Sequence, residues 1–411
     1  MRKLFIVSII ALLPYRAWGD AAMWLNTARI AYYNEKDFER AKNACLKGIE
    51  EQPNNYEFHA ILGGSEIGLG NWKDASVALM NAFKIDTSKT MKWMKERKED
   101  EKYYYQAFYF SALEFFTEAR YEEALSNLEY GKLLAPEDIE TYALRGALLI
   151  TLERREEGNK EYRKALAIDP ERPDILYLLG KSLFEERKFD SSLTHFDNAV
   201  TFYNHKRARA AEMLFKNISE ASTELTQNII TLWTEKRLEE LDQLIKDELN
   251  LDEGLDVHEG NIEQFVRITN ALARSHYFAG MSQYNLQKDS LALHNLLKSL
   301  ESNPIDLDAL YFTGEILLVK FKKFQDAAAY FRRIVQIERD DVYAWFYLGV
   351  CYTQLKQYQE AISAYENNVL RLNPEHINAM TNLASIYSAL GDQEKSLEYL
   401  MKVEELKKKM Q

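Results

Sequence analysis

Between residues 342 and 374 the chain reads "VYAWFYLGVCYTQLKQYQEAISAYENNVLRLNP", a run in which large apolar side chains surround two small ones, Gly349 and, twelve positions later, Ala361. The spacing recurs along the chain. Gly314 lies 35 residues before Gly349 and Gly280 a further 34, while Ala112, Gly146 and Gly180 stand 34 apart. Gly280 and the earlier three have a small partner twelve residues on: Ala292 follows Gly280, and Ala124, Gly158 and Ser192 follow the others. Gly63 with Ala75 and Ala384 with Ser396 extend the series, and Ala41 with Pro53 stands in register near the start. Two helices approach closely only where side chains are short, so these residues mark crossings, with Phe196, Phe331 and Tyr365 filling the space beside them. Pro136, Pro170 and Pro304 close their units, where a helix has to stop. The pattern predicts an all-α chain built from one recurring unit.

The intervals also show where the array is interrupted. Ala41 to Ala75 is 34 residues, but Ala75 to Ala124 is 49 and Ser192 to Ala292 is 100. The first excess is "SKTMKWMKERKEDEKYYY", charged and free of Gly and Pro, which predicts a helical extension. In the second gap "RLEELDQLIKDEL" from Arg237 matches "RYEEALSNLEYGK" from Arg120, with Leu241 where Ala124 stands. A tenth, degenerate unit there splits the gap into 49 and 51 residues. Around it, "NHKRARAAEMLFKNISE" predicts one additional helix, and "LDEGLDVHEGNIEQ" a loop with a helix start. The division that follows is 20–204 for an N-terminal array, 205–270 for a helical interruption holding one degenerate repeat, and 271–411 for a C-terminal array.

The residues Trp345, Leu348, Gly349, Tyr352, Ala361 and Tyr365 meet most fully the pattern of the tetratricopeptide repeat family, which the chain resembles over nearly its whole length. Other copies are partial: "YALRGALLITLERREEGNKEYRKALAIDP" keeps Gly146, Tyr162, Ala165 and Pro170 but has Gly158 at the usual Ala. The resemblance implies a right-handed superhelical solenoid of about ten antiparallel helix pairs with helical insertions, in which neighbours bury each other's apolar faces. It also implies a concave groove lined by the first helix of each pair. Some members grip a terminal carboxylate there with Lys three residues before the small anchor and Asn one after it. No copy here has that clamp. Five share an aromatic at the first position instead: Tyr109, Tyr177, Tyr277, Tyr311 and Phe346. These rings either pack against the next repeat or form a ladder of anchors for a partner segment.

Residues 1–19 follow another rule. Arg2 and Lys3 precede ten apolar residues, Leu4 to Leu13, and Ala17-Trp18-Gly19 offers small residues before a cut, the layout of an export signal. The mature chain is expected to start near Asp20, exported to the periplasm or secreted, with a bacterial envelope favoured; retention of the segment as an anchor is the alternative. No later stretch predicts a membrane helix. A net charge of −12 argues against nucleic acid as a partner. Two cysteines, Cys45 and Cys351, are too few for a disulfide framework and fall where small core residues belong.

Catalytic chemistry finds little support. The seven histidines show no metal-ligand spacing, and His59 and His276 share the repeat position of Trp345, which assigns them to packing. No nucleophile or phosphate-loop motif occurs, so neither metal nor cofactor is expected and the chain is read as a non-enzyme. The function expected is an interaction scaffold that holds a protein or peptide in its groove. A periplasmic chaperone for unfolded clients is one alternative, and self-association another. An enzyme or ligand-binding protein with its site at 205–270, around Trp233 and His258, is the alternative of a different class.

Overall fold

The structure, a computed structural model, describes residues 17–97, 101–214, 223–248 and 255–409, and every regular element among them is helical. The chain divides into two compact units, Met1–Pro170 and Glu171–Gln411. In the first, α1 (Ala17–Arg29), continued by a π-helical turn (Ile30–Glu35), pairs with α2 (Phe38–Glu51), and α3 (Tyr56–Gly68) with α4 (Trp72–Ile85). A short α5 (Thr87–Lys95) follows, then α6 (Glu101–Thr117) with α7 (Tyr121–Leu134) and α8 (Ile139–Thr151) with α9 (Arg155–Ile168).

The second unit opens with α10 (Pro173–Glu185) and α11 (Phe189–Leu214), followed by α12 (Thr223–Thr234) with α13 (Leu238–Glu248). Next come α14 (Leu255–Asn285) with α15 (Asp289–Ser302), and α16 (Leu307–Val319) with α17 (Phe324–Ile337). Then α18 (Val342–Gln354) packs on α19 (Tyr358–Ala364), which a π-helical turn (Tyr365–Leu370) continues, and α20 (Ile377–Ala389) packs on α21 (Gln393–Lys409).

One backbone feature identifies every pair. Lys36, Gly70, Ala119, Glu153, Arg187, Lys236, Gln287, Lys322, Lys356 and Gly391 all have positive φ, between 52° and 84°. Each lies five residues before the anchor of its second helix, from Ala41 to Ser396, the anchor being small in every pair but α12–α13, where it is Leu241. A single left-handed residue past the end of the first helix lets the chain reverse while its N–H groups satisfy the last carbonyls. At Lys236 the pattern is complete: its N–H reaches Trp233 at 3.3 Å and the Arg237 N–H reaches Leu232 at 2.9 Å. That turn joins α12 to α13, where the tenth unit was expected. The next helix is started by a side-chain cap: Asp138, Asp306 and Asp341 each accept the backbone N–H three residues on, at 2.6, 3.0 and 2.9 Å.

Within a pair the first anchor faces the large residue of the second helix. A Cβ placed on Gly146 would stand 2.5 Å from Tyr162, on Gly180 2.9 Å from Phe196, and on Gly349 2.6 Å from Tyr365. The two 35-residue intervals are absorbed locally. Between Gly314 and Gly349 the turn after α16 holds four residues, 320–323, where the turn after α18 holds three, 355–357. Between Gly349 and Ala384 the extra residue enters the π turn after α19.

Several boundaries differ from the sequence reading. The additional helix expected over 204–220 is a continuation of α11 to Leu214, and residues 215–220 lie outside the described ones. The stretch contains no Gly or Pro, and Ala199, Tyr203, Ala210 and Leu214 keep one buried face that packs on α14. Limits at 204/205 and 270/271 therefore fall inside α11 and α14, and the compact units divide at 170/171 instead. The extension expected at 88–105 is a separate helix, α5, capped by Asp86, followed by the start of α6. Residues 1–16 of the expected leader lie outside the described ones, and Ala17–Gly19 form the first turn of α1.

Candidate functional site

All five aromatics at the shared position lie on first helices and are half-buried: Tyr109 on α6 in the first unit, and Tyr177, Tyr277, Tyr311 and Phe346 on α10, α14, α16 and α18 in the second. In the second unit each ring leans on a later first helix or on the residue that caps it, Tyr177 reaching α14 rather than α12. Tyr177 meets Phe278 at 5.9 Å between centroids, Tyr277 meets Phe312 at 6.0 Å, and Tyr311 meets Tyr347 at 5.8 Å. Phe346 meets His376, the residue that caps α20, at 4.9 Å. The receiving rings sit two residues before the small anchor, a position the sequence reading did not use. Phe110, Phe278, Phe312 and Tyr347 are all aromatic there, and that recurrence was available as a signal.

The side chains show the packing of the first reading and leave their outer atoms open to the second. The ring body joins neighbouring repeats, while the hydroxyls of Tyr177, Tyr277 and Tyr311 have no hydrogen-bond partner among the described residues and are not sealed from solvent. Partial burial raises all three phenol pKa values above the ordinary one, so they stay neutral donors. Tyr109 is placed differently: its ring stacks on Tyr105 at 5.9 Å, and Tyr105 donates to Asp138 at 2.5 Å. The first unit also covers part of its own first-helix face. The inserted α5 packs on α3 and α6 and buries Trp93 and Met94. Trp93 donates to the Tyr33 hydroxyl at 2.8 Å, and Arg97 lies over both rings.

The position of Trp345 has a structural task. Trp345 donates to the carbonyl of Arg339 at 2.8 Å, Tyr142 to that of Pro136 at 2.8 Å, and His59 meets that of Pro53 at 2.9 Å, in each case six residues back. The bond pins the turn between repeats. His276 sits within the unbroken α14, where no such turn exists, and pairs instead with Asn295 at 2.8 Å. Cys45 and Cys351 are fully buried and unpaired, and burial pushes the Cys351 thiol up to about 12. Trp233 lies on α12 under Lys236, while His258 belongs to α14 with its side chain outside the described residues. Among the described residues no group of three or more His, Cys, Asp or Glu is placed to hold a metal. No described helix is long and apolar enough to cross a membrane.

The second unit also contains a lined cleft. Asp174 and Tyr177 from α10, Tyr203 from α11 and Arg267, Asn270 and Arg274 from α14 surround a cavity of about 390 Å³. It adjoins a second of about 540 Å³, to which Lys206 and Arg209 contribute.

Family profiles described as tetratricopeptide repeat match residues 139–172, 277–341 and 341–409. The chain is 32% identical to the general transcriptional corepressor trfA of Dictyostelium discoideum over 101 residues, 24% of this chain and 7% of that protein. It is 22% identical to the protein O-mannosyl-transferase TMTC3 of Homo sapiens over 358 residues, 84% of this chain and 38% of that protein. The chain thus spans well under two thirds of either relative. Among solved structures, that of Pseudomonas aeruginosa pilF is 14% identical, covers 69% of this chain and 97% of its own, and superposes with a TM-score of 0.43.

Proposed function

For this chain, which carries tetratricopeptide repeats and has the architecture of a protein–protein interaction scaffold, we propose that the bound partner is an extended or helical segment lying on the first helices of the second unit. The observation that carries this reading is the row Tyr277, Tyr311 and Phe346. Each presents a half-exposed ring on a fixed stem, and the two tyrosines add an unclaimed hydroxyl. Rings already held by a neighbour lose little side-chain freedom on binding, which favours affinity. The leader-like pattern of residues 1–19 supports a place of work outside the cytoplasm, in a periplasm or secreted.

The test is affinity capture of the full chain from its own cells, with fractions taken from cytoplasm and envelope. Wild-type protein is expected in the envelope fraction with one or two enriched partners. The triple variant Tyr277→Ala, Tyr311→Ala, Phe346→Ala is expected to lose them while keeping its helical circular dichroism. Should the alanine variant unfold, Tyr277→Phe with Tyr311→Phe keeps the packing and removes only the hydroxyls. Undiminished capture by folded variants of both kinds would refute the reading. A broad set of unfolded clients would replace a dedicated scaffold with a chaperone.

A further inference from the structure

The overlong α11 and α14 change the charge of the first-helix face. Lys206 and Arg209 come from the part of α11 that runs past the repeat pattern, and Arg267 and Arg274 from α14; all four are exposed and line the paired cavities. None forms an ion pair or side-chain hydrogen bond with a described residue. That contrasts with two arginines at pair turns that glutamates clamp: Arg237 by Glu235 and Glu240 at 2.9 and 2.6 Å, and Arg154 by Glu157 at 2.8 Å. Among the described residues Asp174 is the one carboxylate lining the two cavities, and Arg172 already holds it at 2.6 and 3.0 Å. A chain with twelve surplus negative charges therefore keeps four cations without an ion pair among the described residues around one cleft, Asp174 and Asp306 being near enough to feel Lys206 and Arg274.

The cleft runs into the aromatic row. Tyr177 belongs to both, and Arg274 stands one helical turn before Tyr277 on α14. Arg267 and Arg274 are two turns apart, about 10 Å along the helix axis. A peptide in polyproline II conformation covers about 9 Å in three residues and returns its side chain to the same face. We propose that this cleft binds an acidic peptide segment, with carboxylates about three residues apart on Arg267 and Arg274, Lys206 and Arg209 on the opposite wall, and an apolar continuation over Tyr177 and Tyr277. The proposal rests on the scaffold reading above and adds the chemistry of the partner. Charge complementarity selects the occupant: guanidinium groups receive carboxylates in pairs of hydrogen bonds, and like charge repels a basic segment.

The test uses the full chain and a fluorescein-labelled twelve-residue peptide with Glu at every third position and leucines at one end, read by fluorescence anisotropy. A second peptide carries Gln in place of Glu. Saturable binding of the Glu peptide, weakening between about 50 and about 300 mM NaCl, is expected. Binding should fall at least about tenfold in R267E/R274E and in K206A/R209A, variants of exposed residues whose helical circular dichroism should be unchanged. Equal binding of the Gln peptide, unchanged binding by the variants, or no binding at all would overturn the proposal. Displacement by millimolar inorganic phosphate would overturn it too, by reducing the cleft to a simple anion site. Partner capture by R267E/R274E that stays intact while the Glu peptide fails to bind would remove this inference and leave the scaffold standing.

Discussion

A glycine inside a helix costs stability unless something needs the missing side chain, and Gly349 is such a case. Tyr365 fills the space a Cβ would take, at 2.6 Å, and is itself fully buried. Gly349→Ala should therefore lose about 1–3 kcal/mol in urea denaturation, because ring and helix have to separate. Gly260, exposed in α14 with nothing within 4 Å of its would-be Cβ, should behave oppositely, and Gly260→Ala should gain about 0.5–1 kcal/mol. Equal effects at the two positions would contradict the packing account. At this scale the sequence was readable wherever a residue type answers a steric demand. The small anchors, the buried cysteines and the packing role of His59 all follow from that demand. The rings at Phe278, Phe312 and Tyr347 went unread because an aromatic beside an aromatic on a helix does not show which one faces the neighbour.

Among elements, the pair turn is the rigid quantity. Ten left-handed residues stand at one fixed distance from ten anchors, although only Gly70 and Gly391 are glycines. Side chains at the other eight positions accept a strained backbone so that the pair can close. Lys236→Gly should relieve that strain in the degenerate α12–α13 pair and stabilise it by about 0.5–1 kcal/mol, while Lys236→Ala should not. Native-state hydrogen exchange of the α12 and α13 amides checks this, and faster exchange in the glycine variant would argue against a left-handed turn there. The anchors located the pairs, including the interval of 51 residues before Ala292. They could not show where a helix outruns its crossing. Nothing in "NHKRARAAEMLFKNIS" breaks α11 as far as Leu214, so the helix continues where a new one was expected.

Across the molecule the two units treat their first-helix faces differently. The first lays α5 on α3 and α6, with Trp93 and Met94 buried against them; the second carries Tyr277, Tyr311 and Phe346 half-exposed beside a basic cleft. The aromatic row was legible from spacing alone, since its members share one repeat position. The basic cleft was not, because Lys206, Arg209, Arg267 and Arg274 lie on two helices about 60 residues apart and share no one repeat position. The claim that first helices of the second unit form the binding face has a direct test. Benzoylphenylalanine replaces Phe346 on α18, and in a separate variant Leu291, an exposed residue of the second helix α15; both are irradiated in cells. Cross-links to a partner from position 346 and none from 291 are predicted. Cross-links from 291 alone would place the partner on second helices and contradict the account.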